Sequence, residues 1–462
     1  MYESLIEKQR KALRLSTMQM LVVGFLLVIL VGAFLLWLPI SNVSGEIKFI
    51  DALFTSTSAV CVTGLMTVVP AVQFTVFGKV VLLILIQIGG LGVIACATVF
   101  FIIIGKKITV KERVIIQETY NLETLSGLVS MIINILKMTI VVEAIGAICF
   151  AFQFIPEFGL KGIGYSIFHS VSAFCNAGID LIGADGFLPY VYNPIVSFTT
   201  TTLIIVGGLG FPVWFDLWQN AQLLFKKKLQ LRKFFRRLQL HSQIAIMVTI
   251  ILIVAGTALY LLLEWNNQST LGGMSTPQKL MASFFQSVTT RTAGFATINQ
   301  GDLLDQTAFL TCIFMFIGGS PAGTAGGVKT TTVFMLLLTC RSVIRGSSDT
   351  ECFGRRITEE NIKSGISVII FSFIALITGI ILLSAFEQLD FLDIVYEASS
   401  ALGTVGLTRG VTGELDTIGK LVDIALMYIG RLGPVTMALA FGSRRNSSSG
   451  LRTLPTKRII VG

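Results

Sequence analysis

Charged side chains are scarce in this sequence. Asp, Glu, Lys and Arg account for 13% of its 462 residues, whereas a soluble domain usually carries about 25%. Hydrophobic residues make up 53% of the chain, and the mean hydropathy is +0.80. This composition excludes an ordinary water-soluble globular protein and indicates a chain that lies largely in a lipid bilayer.

Histidine and paired cysteine are scarce as well. The two histidines, His169 and His241, lack the spacing of a metal site. The seven cysteines are an odd number and lie mostly in apolar stretches, which excludes a disulfide framework. A cleavable signal pattern is also lacking, because the first apolar block is long enough to remain as a span. We therefore expect neither a covalently bound cofactor nor a His/Cys metal centre.

Eight long apolar blocks run through the chain. Each is near or above the ~20 residues that a helix needs to cross a bilayer. The blocks are Met18 to Leu38, Val80 to Ile104, Met131 to Phe152, Ile195 to Leu217, Ile244 to Leu263, Phe309 to Leu338, Ile366 to Phe386 and Leu421 to Phe441. They predict an all-α integral membrane protein with eight transmembrane helices.

The basic residues are concentrated at the two termini and in every second loop. Segments 1–17, 105–127, 225–242, 341–363 and 443–462 hold 25 of the 35 Lys and Arg residues. The positive-inside rule places all five segments, and so both termini, in the cytoplasm. This distribution argues against nucleic acid binding. The opposite loops carry seven basic and fifteen acidic residues, either by simple avoidance of basic residues outside or to concentrate cations.

Four similar loops recur along the chain. They read S-A-V-C-V-T-G-L, S-A-F-C-N-A-G-I, V-T-T-R-T-A-G-F and S-A-L-G-T-V-G-L. Their glycines, 114, 116 and 112 residues apart, are Gly64, Gly178, Gly294 and Gly406. A second landmark follows each loop, as G-G-L-G, G-G-L-G, G-G-S-P and G-R-L-G. Two landmarks with one period predict four internal repeats, 1–124, 125–240, 241–360 and 361–462.

Each repeat reads as a span, a short half-apolar helix, a glycine loop and a second span. The short helices, such as Asp51 to Thr63 and Phe391 to Gly403, are too short to cross the membrane and suggest re-entrant elements. Irregular backbone at membrane depth must be buried in protein or line a water-filled cavity. We therefore predict four pore loops around one pseudo-four-fold pore. The second landmark better fits glycines that permit tight helix packing.

The fourth loop, Thr404-Val405-Gly406, matches the start of the T-V-G-Y-G filter of potassium channels, whose carbonyl oxygens replace the hydration shell of the ion. With its four glycine loops, the whole chain resembles the Trk/Ktr/HKT superfamily of potassium transporters, and in size the bacterial Ktr branch. The resemblance implies a selectivity filter whose backbone carbonyls bind K⁺. The candidate filter residues are Val62, Thr63, Gly64, Asn176, Ala177, Gly178, Thr292, Ala293, Gly294, Thr404, Val405 and Gly406.

The resemblance also implies an ion preference and partners. All four loops carry Gly, whereas some plant relatives that favour sodium have Ser at the first position. The pattern thus favours K⁺ uptake, with coupling to Na⁺ in at least some relatives. The implied assembly is a homodimer in the lipid of the bacterial plasma membrane. It docks on a cytosolic ring of nucleotide-binding RCK-type subunits.

A glycine-rich segment interrupts the sixth apolar block. Ile317 to Thr332 reads I-G-G-S-P-A-G-T-A-G-G-V-K-T-T-T, and its glycines and proline disfavour a helix. A break in mid-membrane follows, and only the third repeat has such a segment. It resembles a phosphate-binding loop, but Val328 stands where that motif needs Gly, and no strand precedes it.

The same segment is the candidate gate of the pore. Small residues and glycines allow it to lie under the filter and to move aside. In the fourth repeat, Arg431 replaces the second glycine of the landmark, and it either bonds to loop carbonyls or opposes a cation in the path. The resemblance implies the same gate. The candidate gate residues are Gly318, Gly319, Ser320, Gly323, Thr324, Gly326, Gly327, Lys329 and Arg431.

Two other charged residues, Lys137 and Glu143, lie within one span. They are six residues apart and so on different helix faces, and we assign them to helix or dimer contacts or leave their role open. Two alternative functions also remain at this point. One is a membrane enzyme that uses the glycine-rich segment, although no catalytic constellation accompanies it. The other is a scaffold that transports nothing, which leaves four pore loops unexplained.

Overall fold

A computed structural model describes residues 16–441, apart from 94, 97, 99–101, 103, 105–127, 227–230 and 348. Most of the N-terminal basic segment, the basic loop 105–127, the C-terminal segment 443–462 and the boundary between the first two predicted repeats lie outside the described residues.

The described part of the chain is almost entirely helical. In chain order its α-helices are α1 (Thr17–Trp37), α2 (Phe49–Cys61), α3 (Pro70–Gln73), α4 (Val76–Leu91), α5 (Leu128–Phe158), α6 (Lys161–Cys175), α7 (Pro194–Gly208), α8 (Phe211–Phe225), α9 (Leu231–Arg237), α10 (Leu240–Glu264), α11 (Thr276–Thr289), α12 (Asp305–Phe316), α13 (Thr330–Ile344), α14 (Glu359–Phe386), α15 (Phe391–Gly403), α16 (Thr417–Leu432) and α17 (Pro434–Phe441). Short 3₁₀ turns occupy Pro39–Ser41, Leu188–Tyr190, Gln300–Asp302 and Val411–Gly413.

Within the described residues, four helices are long and apolar enough to cross a membrane without interruption. They are α1, α5, α10 and α14, which are 21 to 31 residues long. Between 17% and 39% of the residues in their most apolar stretches are buried in the protein. Most of their apolar side chains therefore face outwards, as expected of helices in contact with lipid.

Four shorter helices, α2, α6, α11 and α15, are the predicted re-entrant elements. They are 13 to 15 residues long, and α15 has the predicted bounds. Ten of the 13 residues of α2 are buried. These short helices thus form the interior of the molecule, while the long helices surround them.

The second apolar block of each predicted repeat is broken in the structure. Helix α4 ends at Gly92, α7 and α8 meet at 97° beside Gly210, and α16 ends at Gly433. These three glycines have φ of 90°, 92° and 84°, a region that favours glycine. The break predicted in the third repeat is present, and the other three repeats have breaks that were not predicted. The last glycine of the second landmark is a hinge, and in the third repeat the glycine-rich segment takes its place between α12 and α13.

The first glycine of the second landmark serves close packing. A Cβ atom on Gly89, Gly207 or Gly430 would overlap the carbonyl of Val60, Phe174 or Leu402 respectively. Those carbonyls belong to the last turns of the neighbouring short helices α2, α6 and α15. The prediction that these glycines permit tight packing is confirmed, and the packing fixes where the short helices end.

One short β-hairpin occurs in the described part of the fold. A small antiparallel hairpin pairs β1 (Glu351–Cys352) with β2 (Arg355–Arg356), so the all-α prediction misses one local element.

Glu143 is buried and accepts a hydrogen bond from Gln87 at 3.3 Å, while Lys137 on the same helix is exposed. The two residues therefore lie on different faces, as predicted.

Candidate functional site

Each of the four short helices ends in a loop with unusual backbone angles. Val62, Asn176 and Thr404 terminate α2, α6 and α15 in the left-handed region, with φ of 57°, 60° and 50°. Thr292 has φ 79° in the third loop. Two residues after each of these comes a glycine that also has positive φ, at Gly64, Gly178, Gly294 and Gly406. We call these four segments the glycine loops, and the four glycines the glycine ring.

The glycine ring closes on itself. A Cβ on Gly64 would lie 2.6 Å from the carbonyl oxygen of Ala177, and one on Gly178 would lie 2.5 Å from that of Ala293. A Cβ on Gly294 would lie 2.5 Å from the oxygen of Val405, and one on Gly406 would overlap that of Thr63. Each loop thus touches the next, from first to second, third, fourth and back to first. The four loops surround one axis, although more than 340 residues separate the first from the last.

Hydroxyl groups hold the loops from the side of the short helices. The Gly64 N–H donates to Ser58 Oγ at 2.9 Å, and the Gly406 N–H donates to Ser400 Oγ at 3.0 Å. By contrast, the carbonyls of the four residues that precede the ring glycines accept no hydrogen bond from the described residues. Their oxygens remain available at the axis. The C-terminal ends of four helix dipoles add negative potential there, which favours a cation.

Three side-chain oxygens in the glycine loops have no hydrogen-bond partner among the described residues. They are Thr63 Oγ1, Asn176 Oδ1 and Thr404 Oγ1, and each residue is at most 1% exposed. Buried polar oxygens are rarely left without a partner, because their desolvation costs roughly 1–3 kcal/mol. Oxygens of this kind suit a path along which cations or water supply the missing contacts.

A cavity of about 390 Å³ opens on one side of the glycine ring. All four ring glycines line it, and we call it the vestibule. Its charged lining residues, Asp180 and Asp185, both come from the loop after the second glycine. Burial raises the pKa of Asp180 to about 6, against the effect of backbone N–H donors. The carboxyl group is therefore mainly ionised at neutral pH.

The glycine-rich segment lies on the other side of the ring. A Cβ on Gly326 would overlap Thr404 Oγ1, so the segment touches the fourth glycine loop. The Ser320 N–H donates to the Gly208 carbonyl at 3.0 Å, and Thr324 Oγ1 donates to the Phe174 carbonyl at 3.1 Å. The segment is thus tied to the second repeat as well. Its own ends are joined by a Gly318 N–H bond to the Val328 carbonyl at 2.8 Å.

Arg431 connects this segment to two other parts of the chain. Its guanidinium donates to the Thr324 carbonyl in the segment, and to the Gly89 carbonyl near the end of α4. Of the two arrangements predicted for Arg431, the structure has the one in which it bonds to loop carbonyls. Lys329 donates to the carbonyls of Ala325 and Gly326 within the segment, at 2.8 and 3.4 Å. Both cations line a cavity of about 230 Å³ below the segment.

Comparisons with known proteins decide between the functional classes. A family model described as TrkH, cation transport protein, matches residues 5–449. The chain belongs to the TrkH family of cation transport proteins. The resemblance to the Trk/Ktr/HKT superfamily is thereby confirmed, and the membrane enzyme is excluded because this family consists of transporters.

Relatives in the TrkH family match over nearly their full length. The potassium/sodium uptake protein NtpJ of Enterococcus hirae is 40% identical, and the match spans 99% of this chain and the full length of NtpJ. The Ktr system potassium uptake protein B of Bacillus subtilis is 40% identical over 96% of both chains. That of Vibrio alginolyticus is 36% identical over 91% of this chain and 90% of the relative.

A solved structure supports the fold. The crystal structure of the potassium transporter TrkH from Vibrio parahaemolyticus has a TM-score of 0.70 and 18% sequence identity. The match covers 90% of this chain and 84% of that one. The chain therefore has the fold of an all-α, multi-pass membrane transporter.

The structure brings the predicted site residues together in two layers. The candidate filter residues form the glycine loops, and the candidate gate residues lie directly beneath them, with Arg431 reaching in from α16. Three features of the site were not predicted from the sequence: the Asp180 carboxylate, the bond from Arg431 to the Gly89 carbonyl, and the Lys420–Asp51 ion pair, whose Nζ–Oδ1 distance is 2.8 Å. Asp180 could have been found from its position, because it lies only two residues after the ring glycine Gly178.

Proposed function

We propose that this chain takes up K⁺ across the bacterial cell membrane through the glycine ring. The observation that carries this proposal is the closed contact of the four loops around one axis, with their unpaired carbonyls. Such carbonyl oxygens replace the hydration shell of K⁺. The names of the relatives, which are potassium or potassium/sodium uptake proteins, support the same cargo.

The ring is made by four repeats of one helix–pore loop–helix unit, and eight membrane crossings carry both termini to the cytoplasm. The repeats comprise residues 1–124, 125–240, 241–360 and 361–462. Four crossings are the uninterrupted long helices, and the other four are the broken pairs. The arrangement of basic residues supports this orientation.

K⁺ moves along the axis between the four glycine loops, and the backbone oxygens of the candidate filter residues bind it on the way. Glycine is required at the ring because a side chain there would press on the carbonyl of the next loop. The four loops differ in their other residues, so the site is only approximately four-fold. Glycine at all four positions favours K⁺ over Na⁺.

The glycine-rich segment acts as the gate below this filter. It blocks the axis while Thr324 is held by Arg431, and it opens when that bond and the contacts with Gly208 and Phe174 are released. Glycine backbones permit such a change at small energetic cost.

Regulation comes from outside this chain. The protein forms a homodimer and docks its basic cytoplasmic face on an RCK-type nucleotide-binding ring, and Na⁺ acts as a coupling ion. Two relatives carry the name of a Ktr system, which supports a multi-component assembly. Co-purification with such a partner tests the docking. Flux that does not depend on nucleotide and is equal with and without the partner contradicts the regulation.

Uptake of ⁸⁶Rb⁺ into proteoliposomes tests the proposed function. Vesicles that contain the purified chain should accumulate ⁸⁶Rb⁺, unlabelled K⁺ should compete, and Na⁺ should raise the rate. A chain that is folded and reconstituted but moves no ⁸⁶Rb⁺ or K⁺ under any of these conditions contradicts the proposal. The scaffold alternative predicts that second result.

A further inference from the structure

The vestibule is asymmetric in charge. The residues two positions after the ring glycines are Met66, Asp180, Ala296 and Thr408, and all four line the vestibule. One of the four is a carboxylate. The other charged lining residue, Asp185, is on the same loop but exposed, whereas Asp180 is half-buried.

The loop is built around the Asp180 side chain. Its Oδ1 accepts a hydrogen bond from the Ile182 N–H at 3.3 Å, which fixes the rotamer. A Cβ on Gly186 would lie 2.9 Å from Asp180 Oδ2, and Gly186 has φ 51°. The chain therefore turns back closely over the carboxylate, and it does so at a glycine.

We propose that the Asp180 carboxylate forms an outer binding position that holds a partly hydrated monovalent cation at the mouth of the glycine ring before the ion enters. This inference rests on the proposed transport function and extends it to a residue outside the filter. The role is one of affinity: Asp180 sets the external K⁺ concentration at which the ring fills.

Distance and charge support this role. Two residues of backbone span at most ~7 Å, so the Asp180 backbone lies within the ~8 Å screening length of physiological salt from Gly178. Among the described residues, the two charged groups that line the vestibule are both negative, so no basic side chain of that lining cancels the attraction. Clefts lined by one sign of charge raise the local concentration of the opposite ion.

The substitution Asp180→Asn tests the charge alone. Asparagine keeps the Oδ1 acceptor for the Ile182 N–H and nearly the same shape, so the loop should stay in place. Initial rates of ⁸⁶Rb⁺ uptake into proteoliposomes are measured against external K⁺ for the wild type, Asp180→Asn, Asp180→Glu and the matched control Asp185→Asn. Each is measured at low ionic strength and again with added choline chloride.

The expected result is a rise in KM of about 3- to 10-fold for Asp180→Asn with an unchanged maximal rate, as for the loss of one unit charge near the ion. Asp180→Glu keeps the charge and should raise KM less than Asp180→Asn, and so should Asp185→Asn. Choline chloride should narrow the difference between the wild type and Asp180→Asn, because salt screens the interaction.

Two results overturn the inference. An unchanged KM in Asp180→Asn, with the wild type active, shows that the carboxylate attracts no ion to the ring. A lower maximal rate at unchanged KM, shared by Asp180→Glu, shows that the residue only shapes the loop. These results differ from a failure of the proposed function, in which the wild type itself transports neither ⁸⁶Rb⁺ nor K⁺, and which removes the basis of the inference as well.

Discussion

Replacing Arg431 by Ala should raise K⁺ flux. The guanidinium donates to the Thr324 carbonyl and so ties α16 to the glycine-rich segment, while its bond to the Gly89 carbonyl anchors it to α4. Alanine removes both bonds and the positive charge beneath the ring. In the described part of the chain, no other side chain of α16 forms a hydrogen bond with the glycine-rich segment. The loss therefore acts directly on the closed state.

The magnitude follows from the bond that joins α16 to the segment. A hydrogen bond to a charged group contributes roughly 1.5–3 kcal/mol. If that bond exists only while the segment blocks the axis, its loss lowers the ratio of closed to open states by about 10- to 150-fold. Flux through a pore that is mostly closed should then rise by about tenfold or more, up to the rate of the fully open pore.

The assay is ⁸⁶Rb⁺ uptake into proteoliposomes with equal amounts of each variant. Lys329→Met is the matched control, because the Lys329 ammonium donates to Ala325 and Gly326 within the segment itself. It should raise flux less than Arg431→Ala, and Arg431→Lys should be intermediate. Wild-type flux in a folded Arg431→Ala variant would show that the bond to Thr324 has no part in closing the pore.

Two further predictions concern the gate and the ion pair that joins α16 to α2. Deleting residues 318–327 should raise K⁺ flux more than Arg431→Ala does and make the flux less dependent on the partner subunit. Uptake of ⁸⁶Rb⁺ with and without the partner measures both effects. Unchanged flux in a folded deletion variant would place the constriction elsewhere. Lys420→Met should lower the free energy of unfolding by about 3–5 kcal/mol, because it leaves Asp51 without its partner at a site where both side chains are at most 13% exposed. Thermal unfolding in detergent checks this, against Lys363→Met as a control for an exposed pair, and equal losses in the two variants contradict it.

The sequence allowed the local elements of the site to be predicted because each has a local cause. Helix α15 begins and ends at the predicted residues, since the apolar stretch after Asp390 stops at the loop with Thr404 and Gly406. The period of the ring glycines likewise reflects one repeated unit. The break before α13 follows from the glycines and proline that precede it.

The other features depend on contacts that no local pattern records. Arg431 and Gly89 are 342 residues apart, and Lys420 and Asp51 are 369 apart. The hinges at Gly92, Gly210 and Gly433 were missed for a different reason. A glycine inside an apolar block fits both a straight, closely packed helix and a turn with positive φ. Only the packing against the short helices and the glycine-rich segment decides between these two conformations.

If the glycine ring selects the transported ion, a change in the ring should alter the ratio of K⁺ to Na⁺ flux in proteoliposomes. The ratio is measured for the wild type, for serine at each of Gly64, Gly178, Gly294 and Gly406, and for Gly183→Ser. Gly183 lines the same vestibule, but a Cβ there would meet no atom within 4 Å among the described residues, so it serves as the control. The ring variants should fold but lose preference for K⁺ or bind it more weakly, while Gly183→Ser should behave as the wild type. Wild-type selectivity and affinity in all four ring variants would show that the glycine ring does not select the transported ion.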